Sequence, residues 1–159
     1  MKYESIDSKL FIKNRANFSR EMKKNSIAFF NSNDIYPVSA DSTLPFEQHR
    51  DIFYLSGIDQ EESILVLCPD NPNPDLREIL FLKETNDHIA VWEGPKINKT
   101  QALEISGIKT VFWLKDLEKL VDKLVSTCHN IYFNKNEHYR AKIETETREA
   151  RFNIWLLKK

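Results

Sequence analysis

Apolar positions along the chain change period several times, and each change marks an element. Over residues 8–24, Phe11, Phe18 and Met22 recur at steps of seven and four among charged residues, the spacing of one helical face, and Asn25 predicts its end. Ser26–Asn31 is a short apolar run bounded by polar residues, the pattern of a buried strand. Residues 63–68 and Glu78–Leu82 are continuous apolar runs and read as strands buried on both faces. The aromatic run Ile52-Phe53-Tyr54-Leu55, broken by Ser56-Gly57, reads as a further strand, and Ile89-Ala90-Val91-Trp92 as one that ends in the turn Glu93-Gly94-Pro95. Short connections between successive strands predict antiparallel neighbours.

From Asn98 the period lengthens. Residues 99–105 predict a short helix stopped by Ser106-Gly107, residues 110–114 a strand, and residues 116–126 a helix with Leu117, Leu120, Val121, Leu124 and Val125 on one side. Asn130–Phe133 follows as a strand. A strand-helix-strand unit needs a crossover, so its two strands are expected to run parallel. The fold class expected is therefore α/β, a mixed sheet of about five or six strands with helices on both faces. A last helical pattern, with Ile143, Thr147, Ala150, Ile154 and Leu157 on one side, runs over residues 141–157.

Between these elements, residues 41–59 gather Asp41, Ser42, Glu47, Gln48, His49, Arg50 and Asp51 directly before the aromatic run. Pro37 and Pro45 keep the approach to this stretch out of helix. It offers more donors and acceptors than a plain connector needs, and reads as a loop that presents side chains from a buried strand.

Composition narrows the class. A length of 159 residues suits one domain with its own core, and 10 Phe, 5 Tyr and 3 Trp supply that core. A formal net charge of −1 provides no field to draw in nucleic acid or an anionic membrane. The cations Lys13, Arg15, Arg20, Lys23 and Lys24 on the first helix read as a solvated face. No apolar run reaches the roughly 18 residues a membrane span requires, and charge interrupts any leader-like segment at the N-terminus. Cys68 and Cys128 lie far apart without a metal-binding spacing and read as two buried thiols in a reducing compartment, so a cytoplasmic location is expected.

Several chemistries are excluded by residue type and spacing. His49, His88, His129 and His138 are scattered and none pairs with a carboxylate at ligand spacing, so no metal site is expected in this chain. Only 3 glycines occur, too few for a phosphate-cradling loop. Paired acids such as Glu61-Glu62 read as solvated. Two candidates survive. Asp41 can offer a carboxylate to a ligand amine, or equally cap a turn. Trp92, beside the Glu93-Gly94-Pro95 turn, can wall a pocket, or equally belong to the core.

Several separated motifs, in order, resemble one family. Asp41-Ser42, then Pro45-Phe46-Glu47-Gln48-His49-Arg50-Asp51-Ile52-Phe53-Tyr54-Leu55-Ser56-Gly57, then Glu62-Ser63-Ile64-Leu65-Val66-Leu67, with the later Val91-Trp92-Glu93-Gly94 and Ser106-Gly107-Ile108, are similar to the N-terminal domain of aminopeptidase P, the Xaa-Pro aminopeptidases. The resemblance implies a creatinase- and prolidase-like N-terminal domain with a ribonuclease H-like motif over residues 1–136, and a helical linker over residues 137–159 toward a pita-bread catalytic domain beyond Lys159. It implies a parent enzyme that releases the residue preceding proline from peptides with proline in second position, using two manganese ions held outside this chain. It also implies that this domain is non-catalytic, mediates homo-oligomerisation, and lends Asp41 and Trp92 to a neighbouring subunit's substrate pocket. Glu47, where bacterial relatives carry Arg, and the acid after Trp92 depart from the family pattern and touch the substrate contacts rather than the fold. A free-standing interaction module on the same fold, without peptidase activity, is the alternative; a reading frame that continues past Lys159 with spaced Asp, His and Glu separates the two.

Overall fold

The apolar runs meet side by side at the centre of a five-stranded sheet of order β6-β5-β4-β1-β7. In this computed structural model residues 4–134 and Leu156 are described. The strands are β1 (Ser26–Asn31), β4 (Ser63–Leu67), β5 (Glu78–Leu82), β6 (Thr110–Trp113) and β7 (Asn130–Phe133), and β2 (Pro37–Ser39) and β3 (Ser42–Thr43) form a separate hairpin. β4 runs antiparallel to both β1 and β5, while β6 and β7 pair in parallel with β5 and β1. The helices are α1 (Ser8–Glu21), α2 (Arg50–Ser56), α3 (Asp87–Glu93), α4 (Lys99–Ser106) and α5 (Leu117–Val125).

Alternation along each central strand explains why the runs are continuously apolar. Ala28, Phe30, Leu65, Leu67, Leu80 and Leu82 face a layer built from Ile52 and Leu55 of α2, Ala102 of α4, Phe18 of α1 and Met22 just after it. Ile27, Val66, Cys68, Ile79 and Phe81 face the other way, against Leu117, Leu120 and Leu124 of α5. Both faces exclude water, so neither set of positions can be polar. Each large aliphatic residue buried this way contributes about 1.5–3 kcal/mol.

The expected α/β class and mixed sheet with helices on both faces are what the structure shows. The crossover strands β6 and β7 share a direction, as expected, but stand at opposite edges, because α5 carries the chain across a whole face. Two expected strands are corrected. Residues 52–55 lie in α2, where the His49 ring accepts from Asp51 N at the start and Gly57 adopts φ 71° at the end. Ile52 and Leu55, three apart, are buried while Tyr54 is exposed, a helical face rather than a strand's alternation. β1 takes the place beside β4 that this run was expected to fill. Residues 89–92 likewise lie in α3, nucleated where the Asn86 side chain accepts from Ile89 N at 2.9 Å. The helical pattern over 141–157 and the expected linker over 137–159 lie outside the described residues, Leu156 excepted.

The expectation of a fully solvated basic face on α1 also fails at one residue. Lys13, Arg20, Lys23 and Lys24 are exposed, whereas Arg15 is 0% exposed. Its Nη1 donates to Leu55 O at 2.8 Å and Ser106 O at 2.9 Å, and its Nε to Glu78 Oε2 at 2.9 Å. Those two carbonyls close α2 and α4, so the guanidinium sits where two helix C-termini converge their partial negative charge. Burial pulls the Arg15 pKa below its ordinary value, and the charge of Glu78 and its hydrogen bond work against that fall.

Both helix ends repeat one device. Ser56 Oγ donates to Ile52 O and accepts from Ile58 N, and Ser106 Oγ donates to Ala102 O and accepts from Ile108 N. Gly57 and Gly107 then turn the chain at φ 71° and 72°. A Cβ on Gly57 would stand 2.5 Å from Phe11 Cζ, and one on Gly107 2.6 Å from Ile12 Cδ1, so α1 lies directly on both turns.

Candidate functional site

The β2–β3 hairpin stands clear of the sheet. Ala40 carries the positive φ (45°) that a two-residue hairpin turn needs, Asp41 follows it at the tip, and Leu44 N donates to Tyr36 O at 3.0 Å to close the base. Residues 33–45 are exposed throughout, including Tyr36, Val38 and Leu44, with Val38 at 58%. Among the described residues nothing covers this apolar ribbon with its carboxylate tip. Trp92 lies in the last turn of α3, ahead of Gly94; its side chain is outside what the structure describes. Asp41 therefore sits at a hairpin tip rather than in an open loop, and Trp92 in a helix rather than at a strand's end.

One connection ties both elements down. Gln48 Oε1 accepts from Asn33 N, and Asn33 Nδ2 donates to Glu47 O, which joins the two legs of the hairpin below its base. Gln48 Nε2 donates to Ile58 O at 3.0 Å and Gln60 O at 2.8 Å, fastening those legs to the chain between α2 and β4. From the same connection, the buried Gln60 accepts from Ile97 N at 2.6 Å and Glu61 pairs with Lys96, holding the segment that follows α3. The half-buried Gln48 amide, bonded through both its oxygen and its nitrogen, fixes this geometry at little cost, whereas the buried Gln60 uses its oxygen on Ile97 N and its Nε2 has no partner among the described residues. Gln48 and Gln60 are thus positioning residues that sequence reading did not single out; Gln48 sat in a quoted motif, and Gln60 carried no signal beyond an amide beside acids.

Among the described residues no three His, Cys, Asp or Glu side chains converge as a metal site would require. His49 serves as the α2 cap, and its motif neighbour Asp51 accepts from Asn134 Nδ2 at 2.8 Å. A groove of 380 Å³ lies between α1, α2 and β7, lined by Phe18, Phe30, Tyr54, Tyr132 and Phe133, and does not include Asp41. Among the described residues no helix is long and apolar enough to cross a membrane.

Comparison with known proteins bears on the family and the fold. Residues 11–132 match the family model described as aminopeptidase P, N-terminal domain. Xaa-Pro aminopeptidase 3 of Homo sapiens is 27% identical over 105 residues, which is 65% of this chain and 21% of that protein. Intermediate cleaving peptidase 55 of Saccharomyces cerevisiae is 28% identical over 127 residues, 78% of this chain and 24% of that protein. The chain thus spans less than a third of the curated relatives it matches. In fold, it superposes on aminopeptidase PepP of Pseudomonas aeruginosa with TM-score 0.75 at 20% identity, covering 97% of this chain and 32% of that one.

Proposed function

The chain belongs to the aminopeptidase P N-terminal domain family, and on that premise we propose that it serves a metal-dependent Xaa-Pro aminopeptidase as a non-catalytic domain that shapes the substrate pocket and the subunit contacts. The observation that carries the reading is the exposed hairpin. Its apolar sides, Tyr36, Val38 and Leu44, suit burial against a neighbouring chain, and its Asp41 tip would then stand inside that neighbour's site. There the Asp41 carboxylate attracts the free amino terminus of a peptide with proline in second position, and Trp92 closes the outer subsite by apolar contact. The two manganese ions and the water they activate belong, in this reading, to a domain that follows. No step of the hydrolysis is assigned to these residues beyond binding and orientation.

The test uses the longer protein that carries this domain. Asp41→Lys is expected to raise KM for Xaa-Pro peptides at unchanged melting temperature, since Asp41 is exposed at the hairpin tip among the described residues. Turnover equal to wild type would remove Asp41 from the pocket. The 159-residue chain by itself is expected to show no manganese-dependent cleavage of such peptides, and measurable cleavage would refute its non-catalytic role.

A further inference from the structure

The two cysteines, 60 positions apart in sequence, end with their Sγ atoms 3.7 Å apart. Cys68 follows the last residue of β4 and is 3% exposed, packed among the side chains facing α5; Cys128 is half-buried in the connection between α5 and β7. We propose that this pair is an oxidisable dithiol, a site of reversible modification by hydrogen peroxide, whose disulfide fastens the connection leading into β7 to the end of β4.

The backbone on both sides is already held in place. Asn25 N donates to Asp70 Oδ2 at 2.7 Å, His129 N donates to Asn25 O at 2.7 Å, and Cys68 N donates to Arg77 O at 2.8 Å. Closing the pair to an S–S bond of about 2.05 Å therefore asks for a shift of under about 2 Å at two flexible side chains. The two thiols differ in access, which sets the order of events. Burial, and after it the hydrogen bond to Cys128, together push the Cys68 thiol up to about 11, so Cys68 stays protonated. Cys128 is the thiol that solvent and oxidant reach.

In the first step the Cys128 thiolate sulfur attacks one peroxide oxygen. An S–O bond forms, the O–O bond breaks, and the hydroxide released is protonated to water. In the second the Cys68 sulfur attacks the sulfenic sulfur; the S–S bond forms, the S–O bond breaks, and the departing hydroxide leaves as water with the Cys68 proton. The two sulfurs give up the two electrons that peroxide gains. A low-molecular-weight thiol reverses the modification by exchange. The element affected is the sheet edge, since among the described residues β7 pairs with β1 alone and its Phe133 is 73% exposed.

The experiment treats the full chain with a few equivalents of hydrogen peroxide, caps surviving thiols with N-ethylmaleimide and measures intact mass, a tryptic map and amide hydrogen exchange. Expected are the joint loss of both thiols, a mass lower by two hydrogens, a linked Cys68–Cys128 peptide in monomeric protein, and exchange of the β7 amides slowed a few-fold, all undone by dithiothreitol. Cys128→Ser is expected to leave Cys68 reduced at the same dose, which keeps the test valid if the buried Cys68→Ala variant fails to fold. Two surviving thiols, Cys128 carried on to sulfinic acid beside a free Cys68, or disulfide-linked dimers would each overturn the proposal.

Discussion

Arg15→Met removes the guanidinium that joins α1 to the ends of α2 and α4, while keeping the apolar stem. The Leu55 and Ser106 carbonyls belong to residues only 2% and 0% exposed, and each loses a donor at 2.8–2.9 Å. An unsatisfied buried acceptor costs about 1–3 kcal/mol, so the two together lose about 2–6 kcal/mol. Two effects pull the sum down. A methionine no longer has a charge to desolvate, and Glu78, with 37% of its side chain exposed, turns to water rather than remaining a stranded ion. The expected net loss is about 3 kcal/mol, a fall in Tm of roughly 6–12 °C for a chain of this size. Arg15→Lys should lose about half as much, because an ammonium on a shorter stem cannot present the planar fork that meets three acceptors at once. Urea unfolding reads the effect as a lowered midpoint at constant slope. A midpoint for Arg15→Met within about 0.5 kcal/mol of wild type would show that guanidinium desolvation cancels the three hydrogen bonds, and would refute a stabilising role for the clamp.

Three further outcomes follow from the same packing. Gly57→Ala is expected to cost about 2 kcal/mol or more, since φ 71° strains alanine and its Cβ would press on the Phe11 ring; a thermal midpoint equal to wild type would mean α1 does not rest on this turn. Gln48→Leu should lower stability by about 1–2 kcal/mol and speed amide exchange at Leu44 and Ile97, because both segments are tethered through the Ile58–Gln60 connection; unchanged exchange would free the hairpin from that tether. The folded-state pKa of Cys68 is raised from 9.0 to about 11, so its contribution to stability is fully present below pH 9 and is lost as pH rises toward 11. Under reducing conditions the stability gap between wild type and Cys68→Ser should narrow across that window, and a constant gap would sink the assignment.

What could be read from the chain alone was whatever depends on neighbours in sequence or on burial from two sides. Continuous apolar runs located β1, β4 and β5, because a strand covered on both faces admits no polar position. The motif order around Asp41, Gln48 and Ser56-Gly57 located the family. Ile52-Phe53-Tyr54-Leu55 was misread because four apolar residues satisfy a strand and a helix turn equally, and the Ser-Gly-Ile that follows, the same stop that ends α4, was the local signal for helix. The rest was settled by three-dimensional packing. Arg15 looks like its exposed neighbours Lys13 and Arg20, and only the convergence of two helix ends from 40 and 91 residues away makes its burial favourable. Cys68 and Cys128 meet because the end of the central strand β4 and the turn between α5 and β7 come together in space, and such a meeting depends on topology, which no spacing rule encodes.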